Sequence, residues 1–192
     1  MGLGCRALEG LVAVRFTATE IEGVYVIDVE AHSDERGSLA RAFCSEEFRM
    51  HGIDPTIAQM NLNHSERAGT VRGLHLQRPP HAETKLVRCI RGAVFDVAAD
   101  LRADSATYGR WIGIELSPHD RRALLVPEGC AHGFQTLVDD TELLYTTSRP
   151  YAPDAEDGAH HADPRLGIRW PLEVSSISDK DLRWPALDAA SG

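Results

Sequence analysis

The sequence predicts an all-β fold, a β-sandwich or small barrel, and three observations predict it. Strand-forming runs start roughly every ten residues with turn residues between them, the spacing of a sandwich or barrel and not of βαβ units. Only one segment carries the marks of a helix. Two histidine-bearing motifs, Arg72-Gly73-Leu74-His75-Leu76-Gln77 and Pro127-Glu128-Gly129-Cys130-Ala131-His132-Gly133-Phe134, read as the tight turns of two separate hairpins, with one histidine in each half of the fold.

Residues 1–20 mix Gly, Ala and Thr without a clear period and read as a variable leader. A single domain spanning 21–188 is expected to follow. Its β-rich start runs from Val24 to Val29. Ser45-Glu46-Glu47-Phe48-Arg49-Met50-His51-Gly52 reads as the one helix, with Ser45 as N-cap, acids in the first turn and Gly52 as its stop. Lys85 to Ile90 and Ala93 to Asp100 are strand candidates hinged on Arg91-Gly92. Trp111 to Leu116, Ala123 to Val126 and Leu143 to Thr147 follow. Beyond Trp170-Pro171 the chain loses period and reaches Trp184-Pro185, which reads as a segment wrapping the barrel. No repeat or low-complexity tract interrupts it.

At 192 residues the chain is long enough to bury a core without staples, and its hydrophobic fraction of 43% is that of a globular domain. A formal net charge of −9, with no run of five like charges, argues against nucleic acid or an anionic membrane as partner. An anionic substrate would therefore need locally gathered arginines. Cys5, Cys44, Cys89 and Cys130 stand far apart with no CxxC pair, so buried free thiols and a cytoplasmic location are expected. The N-terminal stretch lacks the pattern of a secretion signal, Arg6 stands where a myristoylation signal wants Ser or Thr, and no segment approaches a membrane span.

Pro127-Glu128-Gly129-Cys130-Ala131-His132 resembles the second signature of the cupin barrels, and His75-Leu76-Gln77 with Glu83 stands in place of the first, His-x-His followed by Glu. Metal-binding cupins gather imidazoles and a carboxylate around one ion. Gln77 replaces the second imidazole by a poor amide ligand, so no metal is expected. Over Gly23 to Leu187 the chain then resembles a metal-free cupin family, the sugar-nucleotide epimerases of the dTDP-4-dehydrorhamnose 3,5-epimerase type. The ordered set that carries this resemblance is Asp34-Glu35-Arg36-Gly37, Gln59 and Asn61, Arg72 to Gln77, Lys85-Leu86-Val87, Asp96 to Arg102, Pro127 to Phe134, Tyr145, Tyr151, Asp163-Pro164, Trp170-Pro171 and Lys180-Asp181.

The resemblance implies a cupin, double-stranded β-helix barrel with a few short helices, and an isomerase that needs no cofactor. A 4-keto sugar has acidic C–H bonds at C3 and C5, so a base can remove a proton and an acid can return it on the opposite face. The family pattern maps the base onto His75, oriented by Asp181, and the acid onto Tyr145. Lys85 falls beside the C4 oxygen, where charge develops as the enolate forms. Arg36, Arg72 and His132 fall on the diphosphate. Arg41, Gln59, Asn61, Tyr151, Glu156 and Lys180 fall along the rest of the nucleotide sugar, with Tyr151 stacked on the base.

Each role has a plainer rival. His75 could be a satisfied structural histidine, Tyr145 a core aromatic, Lys85 a solvated strand-edge residue and Asp181 a surface acid, with Asp179 as the true partner. His81, His160 and His161 read as exposed loop residues, and Cys89 and Cys130 as packing. Two departures from the family touch the nucleotide end: Arg41 stands where a Glu is usual, and Asn63 where a Ser is usual. Arg offers only donors and would suit cytosine, guanine or a phosphate oxygen better than thymine. Single inversion at C3 or C5 of a CDP- or GDP-linked sugar therefore stays beside the 3,5-epimerase reading. Outside it stand a metal-dependent cupin oxygenase or isomerase and a non-catalytic sugar-nucleotide binding protein. Family members are usually homodimers in which an N-terminal strand joins the partner's sheet, which would carry Arg36 to the partner's site.

Overall fold

Two antiparallel sheets face each other in the computed structural model, which describes residues 14–187. The larger is built from β1 (Val14–Ala18), β2 (Tyr25–Val29), β10 (Ala123–Val126), β7 (Lys85–Arg91), β12 (Thr141–Thr147) and β5 (Gln59–Ser65), in that spatial order. The second runs β13 (Glu156–Gly158), β6 (Val71–Gln77), β11 (Cys130–Thr136), β8 (Val94–Asp100) and β9 (Trp111–Leu116). A separate hairpin pairs β3 (Ala31–Asp34) with β4 (Gly37–Ala40). The expected all-β cupin architecture is what the chain adopts.

The core between the sheets takes alternate residues from both. Val87 and Cys89 of β7, Leu124 and Val126 of β10 and Leu143 of β12 meet Val94 and Ala98 of β8 and Phe134 of β11. Each sheet is also covered behind. The helix α1 (Ser45–Met50) places Phe48 against Ile27, Ala123 and Leu125, which is why Ala123 to Val126 is apolar at every position and buried throughout. The C-terminal segment lays Leu166, Ile168, Trp170 and Leu187 over Leu74, Val97, Ala99 and Ala131. The segment thus wraps the second sheet, as its lack of period suggested. Gln135 clasps it by exchanging two 2.9 Å hydrogen bonds with the backbone of Leu172.

Several expectations need correction. Val14–Ala18 lies inside the stretch read as a leader, yet it forms a full strand paired along β2; residues 1–13 lie outside the described part of the chain. The helix begins at Ser45 with Cys44 as N-cap, and the Ser45 hydroxyl instead accepts a hydrogen bond from Arg49 at 3.3 Å. Neither motif histidine sits in a turn. His75 and His132 are mid-strand residues on β6 and β11, directly opposite each other in register. Cys44, Cys89 and Cys130 are free, as expected, and burial pushes the Cys89 thiol up to about 11 and the Cys130 thiol to about 12. No described helix is long and apolar enough to cross a membrane.

Candidate active site

One end of the inter-sheet space is not filled by apolar side chains and forms a cavity of about 720 Å³. Strand β5 presents Gln59, Asn61 and Asn63 to it, and β12 presents Leu143, Tyr145 and Thr147, with Asn61 opposite Tyr145 and Asn63 opposite Leu143. Strand β6 contributes Arg72, His75 and Gln77, β7 contributes Lys85, and β11 contributes His132 and Phe134. Residues 176–181 of the wrapping segment close one side.

Arg72 and His75 share the cavity although residues three apart on a regular strand face opposite ways. A register shift explains it: His75 pairs with His132 and Arg72 with Phe134, so one extra residue of β6 is accommodated opposite Gly133. The two strands nearly touch there. A Cβ on Gly73, whose φ is +112°, would lie 2.6 Å from the Gly133 Cα and 2.7 Å from the His132 carbonyl oxygen. The glycines of both motifs are therefore steric requirements of this bulge, and the bulge aims the arginine.

Asp181 reaches His75 across 106 positions of sequence: its Oδ1 lies 2.6 Å from His75 Nε2, and its Oδ2 accepts the Gly73 N–H at 3.1 Å. Asp181 is buried, in a 3-10 turn over Asp181–Arg183, and its own N–H donates to Ser178 Oγ at 3.0 Å. Burial pushes its carboxyl up, but the hydrogen bond and charge of His75 and the Gly73 and Ser178 contacts outweigh it and hold the group below the usual carboxylate range. The carboxylate thus accepts from Nε2–H and leaves the Nδ1 lone pair as the basic nitrogen. Asp179, the rival, is not part of this contact. The His75 ring is also flanked edge-on by Trp184, with centroids 6.1 Å apart.

Lys85 is no solvated edge residue. Its Nζ donates to the His75 carbonyl at 2.8 Å and pairs with Glu83 at 3.0 Å. The Tyr145 phenol is pushed up by burial, against the pull of the Arg72 charge, and its hydroxyl has no hydrogen-bond partner among the described residues. Arg72 itself is aimed by the Ser65 hydroxyl at 3.4 Å and the His64 carbonyl at 3.1 Å.

At the mouth, the exposed Tyr151 donates its hydroxyl to Glu156 at 3.0 Å, and Glu156 also accepts from Lys180 at 2.5 Å. Gln59 accepts the Tyr151 backbone N–H at 2.6 Å. Gln77 braces the same loop, accepting the Ala152 N–H at 2.6 Å and donating to the carbonyls of His81 at 2.9 Å and Pro150 at 3.3 Å. These three bonds make Gln77 a brace for the loop, and among the described residues no group of three or more His, Cys, Asp or Glu is placed to hold a metal.

Two expected binding residues are not brought to this cavity. Arg36 is exposed at the tip of the β3–β4 hairpin, forked onto Asp34 with its closest contact at 2.6 Å. Arg41 pairs with Glu47 of α1 at 3.2 Å. His161 is buried and His160 half-buried, not exposed as expected, their rings tilted against each other with centroids 4.5 Å apart, while His81 is exposed. The sequence reading missed Asp96, which is fully buried and holds His132 Nε2 at 2.8 Å. Its signal was a lone acid inside the apolar run Val94-Phe95-Asp96-Val97-Ala98-Ala99.

The family model for dTDP-4-dehydrorhamnose 3,5-epimerase matches residues 18–189. The dTDP-4-dehydrorhamnose 3,5-epimerase of Methanothermobacter thermautotrophicus is 43% identical over 176 residues, covering 90% of this chain and 94% of the relative. The dTDP-4-dehydrorhamnose 3-epimerase of Streptomyces niveus is 41% identical over 169 residues, 88% of this chain and 81% of the relative. A crystal structure of the 3,5-epimerase from Bacillus anthracis with TDP and pyrophosphate bound superposes with a TM-score of 0.87 at 37% identity, over 91% of this chain and all of that one.

Proposed function

Since the chain belongs to the dTDP-4-dehydrorhamnose 3,5-epimerase family, we propose that it converts dTDP-4-keto-6-deoxyglucose by inverting C3 and C5. It is a carbohydrate epimerase of deoxysugar biosynthesis. In this reading His75 Nδ1 takes the proton next to the C4 ketone while Asp181 steadies the ring and its developing positive charge. The Lys85 ammonium faces the C4 oxygen as it becomes an enolate. Tyr145 returns a proton to the opposite face at C5. Arg72 and His132 hold the diphosphate, and Tyr151, braced by Glu156, Lys180 and Gln59, stacks on the thymine. The chemistry draws only on side-chain acids and bases, and no resident cofactor enters any step.

The observation that carries the reading is the 2.6 Å contact between His75 and Asp181 at the wall of a cavity shared with Lys85 and Tyr145. Arg41, the residue that pointed to cytosine or guanine, has its guanidinium on Glu47 instead, which favours the thymidine nucleotide. The enzyme would act in the cytoplasm as a homodimer exchanging N-terminal strands, and Arg36, idle at its own cavity, would then serve the partner's.

Incubation in D2O with dTDP-, CDP- and GDP-linked 4-keto-6-deoxy sugars, followed by NMR, tests this. Deuterium at C3 and C5 of the dTDP sugar, abolished by His75→Ala, is expected. Deuterium at one carbon only would assign a single inversion, as named for the Streptomyces niveus relative. No exchange at either carbon would refute the epimerase assignment, and sedimentation as a monomer would refute the dimer.

A further inference from the structure

In a metal-binding cupin the glutamate of the first signature is directed to an ion. Here Glu83 occupies that motif position and is directed to an amine: its Oε1 lies 3.0 Å from Lys85 Nζ, with the two side chains only 4% and 11% exposed. The second contact of the ammonium is the His75 carbonyl, at 2.8 Å. An ammonium has three N–H donors, so one remains, and Lys85 lines the cavity. The other oxygen of Glu83, Oε2, is buried and has no partner among the described residues. Among the described residues, Lys85 is the cation that pairs with this carboxylate.

We propose that Glu83 is a positioning residue that keeps Lys85 an ammonium with its third N–H toward the substrate's C4 oxygen, so that a lysine supplies the positive charge that an ion supplies in other cupins. The proposal deepens the epimerase reading and rests on it. Its physical basis is the cost of burying a charge. Burial pushes the Lys85 ammonium below its ordinary range, and the Glu83 carboxylate pulls it back. Without the carboxylate the amine would enter the reaction neutral and lose most of its value to an enolate. The other titratable or charged groups lining the cavity are Arg72 and His75 on β6, His132 on β11, Tyr145 on β12, Arg149 and Tyr151 after it, Glu156 on β13 and Lys180 and Asp181 of the tail. Of these only Glu156 adds a resolved pull on Lys85, and it ranks behind Glu83.

Glu83→Gln keeps the shape and an acceptor while removing the charge. Steady-state rates across pH on the dTDP-4-keto sugar, dTDP affinity by calorimetry and the charge of Lys85 by NMR of labelled lysines are measured beside wild type. In the variant kcat is expected to fall by about tenfold or more, with KM and dTDP affinity within about twofold. The alkaline limb of kcat moves about one unit or more toward lower pH. Lys85, cationic at neutral pH in wild type, becomes neutral. Glu83→Asp, which keeps the charge on a shorter arm, recovers part of kcat and restores the limb. A Glu83→Gln variant whose Lys85 stays cationic, or whose limb does not move, overturns the proposal, whatever happens to its stability. If wild type exchanges no deuterium while the Lys85 charge still follows Glu83, the epimerase reading fails and the C4 contact falls with it.

Discussion

Asp181→Asn replaces a carboxylate by an amide of the same shape, at the point where the tail meets the sheet. The native group accepts twice, from His75 Nε2 at 2.6 Å and from the Gly73 N–H at 3.1 Å. An amide offers one oxygen. If that oxygen faces His75, the NH2 group confronts the buried Gly73 N–H, and an unpaired buried donor costs about 1–3 kcal/mol. If the amide turns over, its NH2 donates to Nε2, the ring proton moves to Nδ1, and the nitrogen meant to receive the substrate's proton is blocked. Either way the ring loses a charge-assisted hydrogen bond of about 1.5–3 kcal/mol. At about 1.4 kcal/mol per decade this predicts a rate of deuterium exchange at C3 and C5 lower by about tenfold to a hundredfold. NMR in D2O measures the exchange, and urea denaturation reads the accompanying loss of stability. Exchange within about twofold of wild type would refute the oriented-base argument.

Tyr145→Phe should leave proton abstraction in place while slowing inversion at C5 by about a hundredfold, read from product ratios by NMR; wild-type inversion would remove Tyr145 as the acid. Gly73→Ala forces a Cβ to within 2.6 Å of the Gly133 backbone at a φ of +112°, so a loss of about 2–3 kcal/mol or more is expected, and an unchanged denaturation midpoint would contradict the close approach. Arg72→Ala should raise the dissociation constant for dTDP by about tenfold while Arg36→Ala, in a protein held monomeric, changes it little; equal losses would mean that Arg36 reaches its own cavity. Acid stability should reflect Asp181 and Asp100. Asp100 is buried, and although burial raises its carboxyl, hydrogen bonds from Arg102, Ser105 and Thr107 hold it far below the usual range. A carboxylate with a depressed folded value stabilises the fold above its unfolded value, near 4, and loses that contribution as pH falls toward the folded one. Stability should therefore drop below about pH 4, less steeply in Asp100→Asn; parallel pH curves would show that Asp100 carries no such linkage.

Apolar, β-branched strands were legible because each supplies residues to the core: β7, β8, β9, β10 and most of β12 were anticipated within a residue or two. Strand β5 was not, because its pattern is inverted. Gln59, Asn61 and Asn63 face inward to a wet cavity while Met60 and Leu62 are exposed outside, so alternation gives no hint of an apolar core face. Strand β1 was lost in a stretch without strong pattern, since only Val14 of its five residues is buried. The side chains proposed to react, His75, Lys85, Tyr145 and Asp181, were singled out through an ordered motif set and line one cavity, whereas composition alone would have left each as a core or surface residue. The pairing of His75 with Asp181 depends on a wrapping tail, and that of Arg72 with His75 on a bulge, neither of which has a local signature. Arg36, a motif residue, and Arg41, a departure from the family pattern, were both assigned to a site that their own chain does not bring them to.

The linear order of these parts sets the order in which competence arrives. Both sheets are complete by Gly158, but the carboxylate bonded to His75 lies beyond it, after a strip from Pro171 to Ser176 that lies open to solvent. During synthesis the barrel can close before its chemistry exists, and turnover reports that the last lap of chain has docked. In the proposed mechanism, a protease nicking that strip would cut the covalent link between the carboxylate and the barrel while leaving every strand of the two sheets intact.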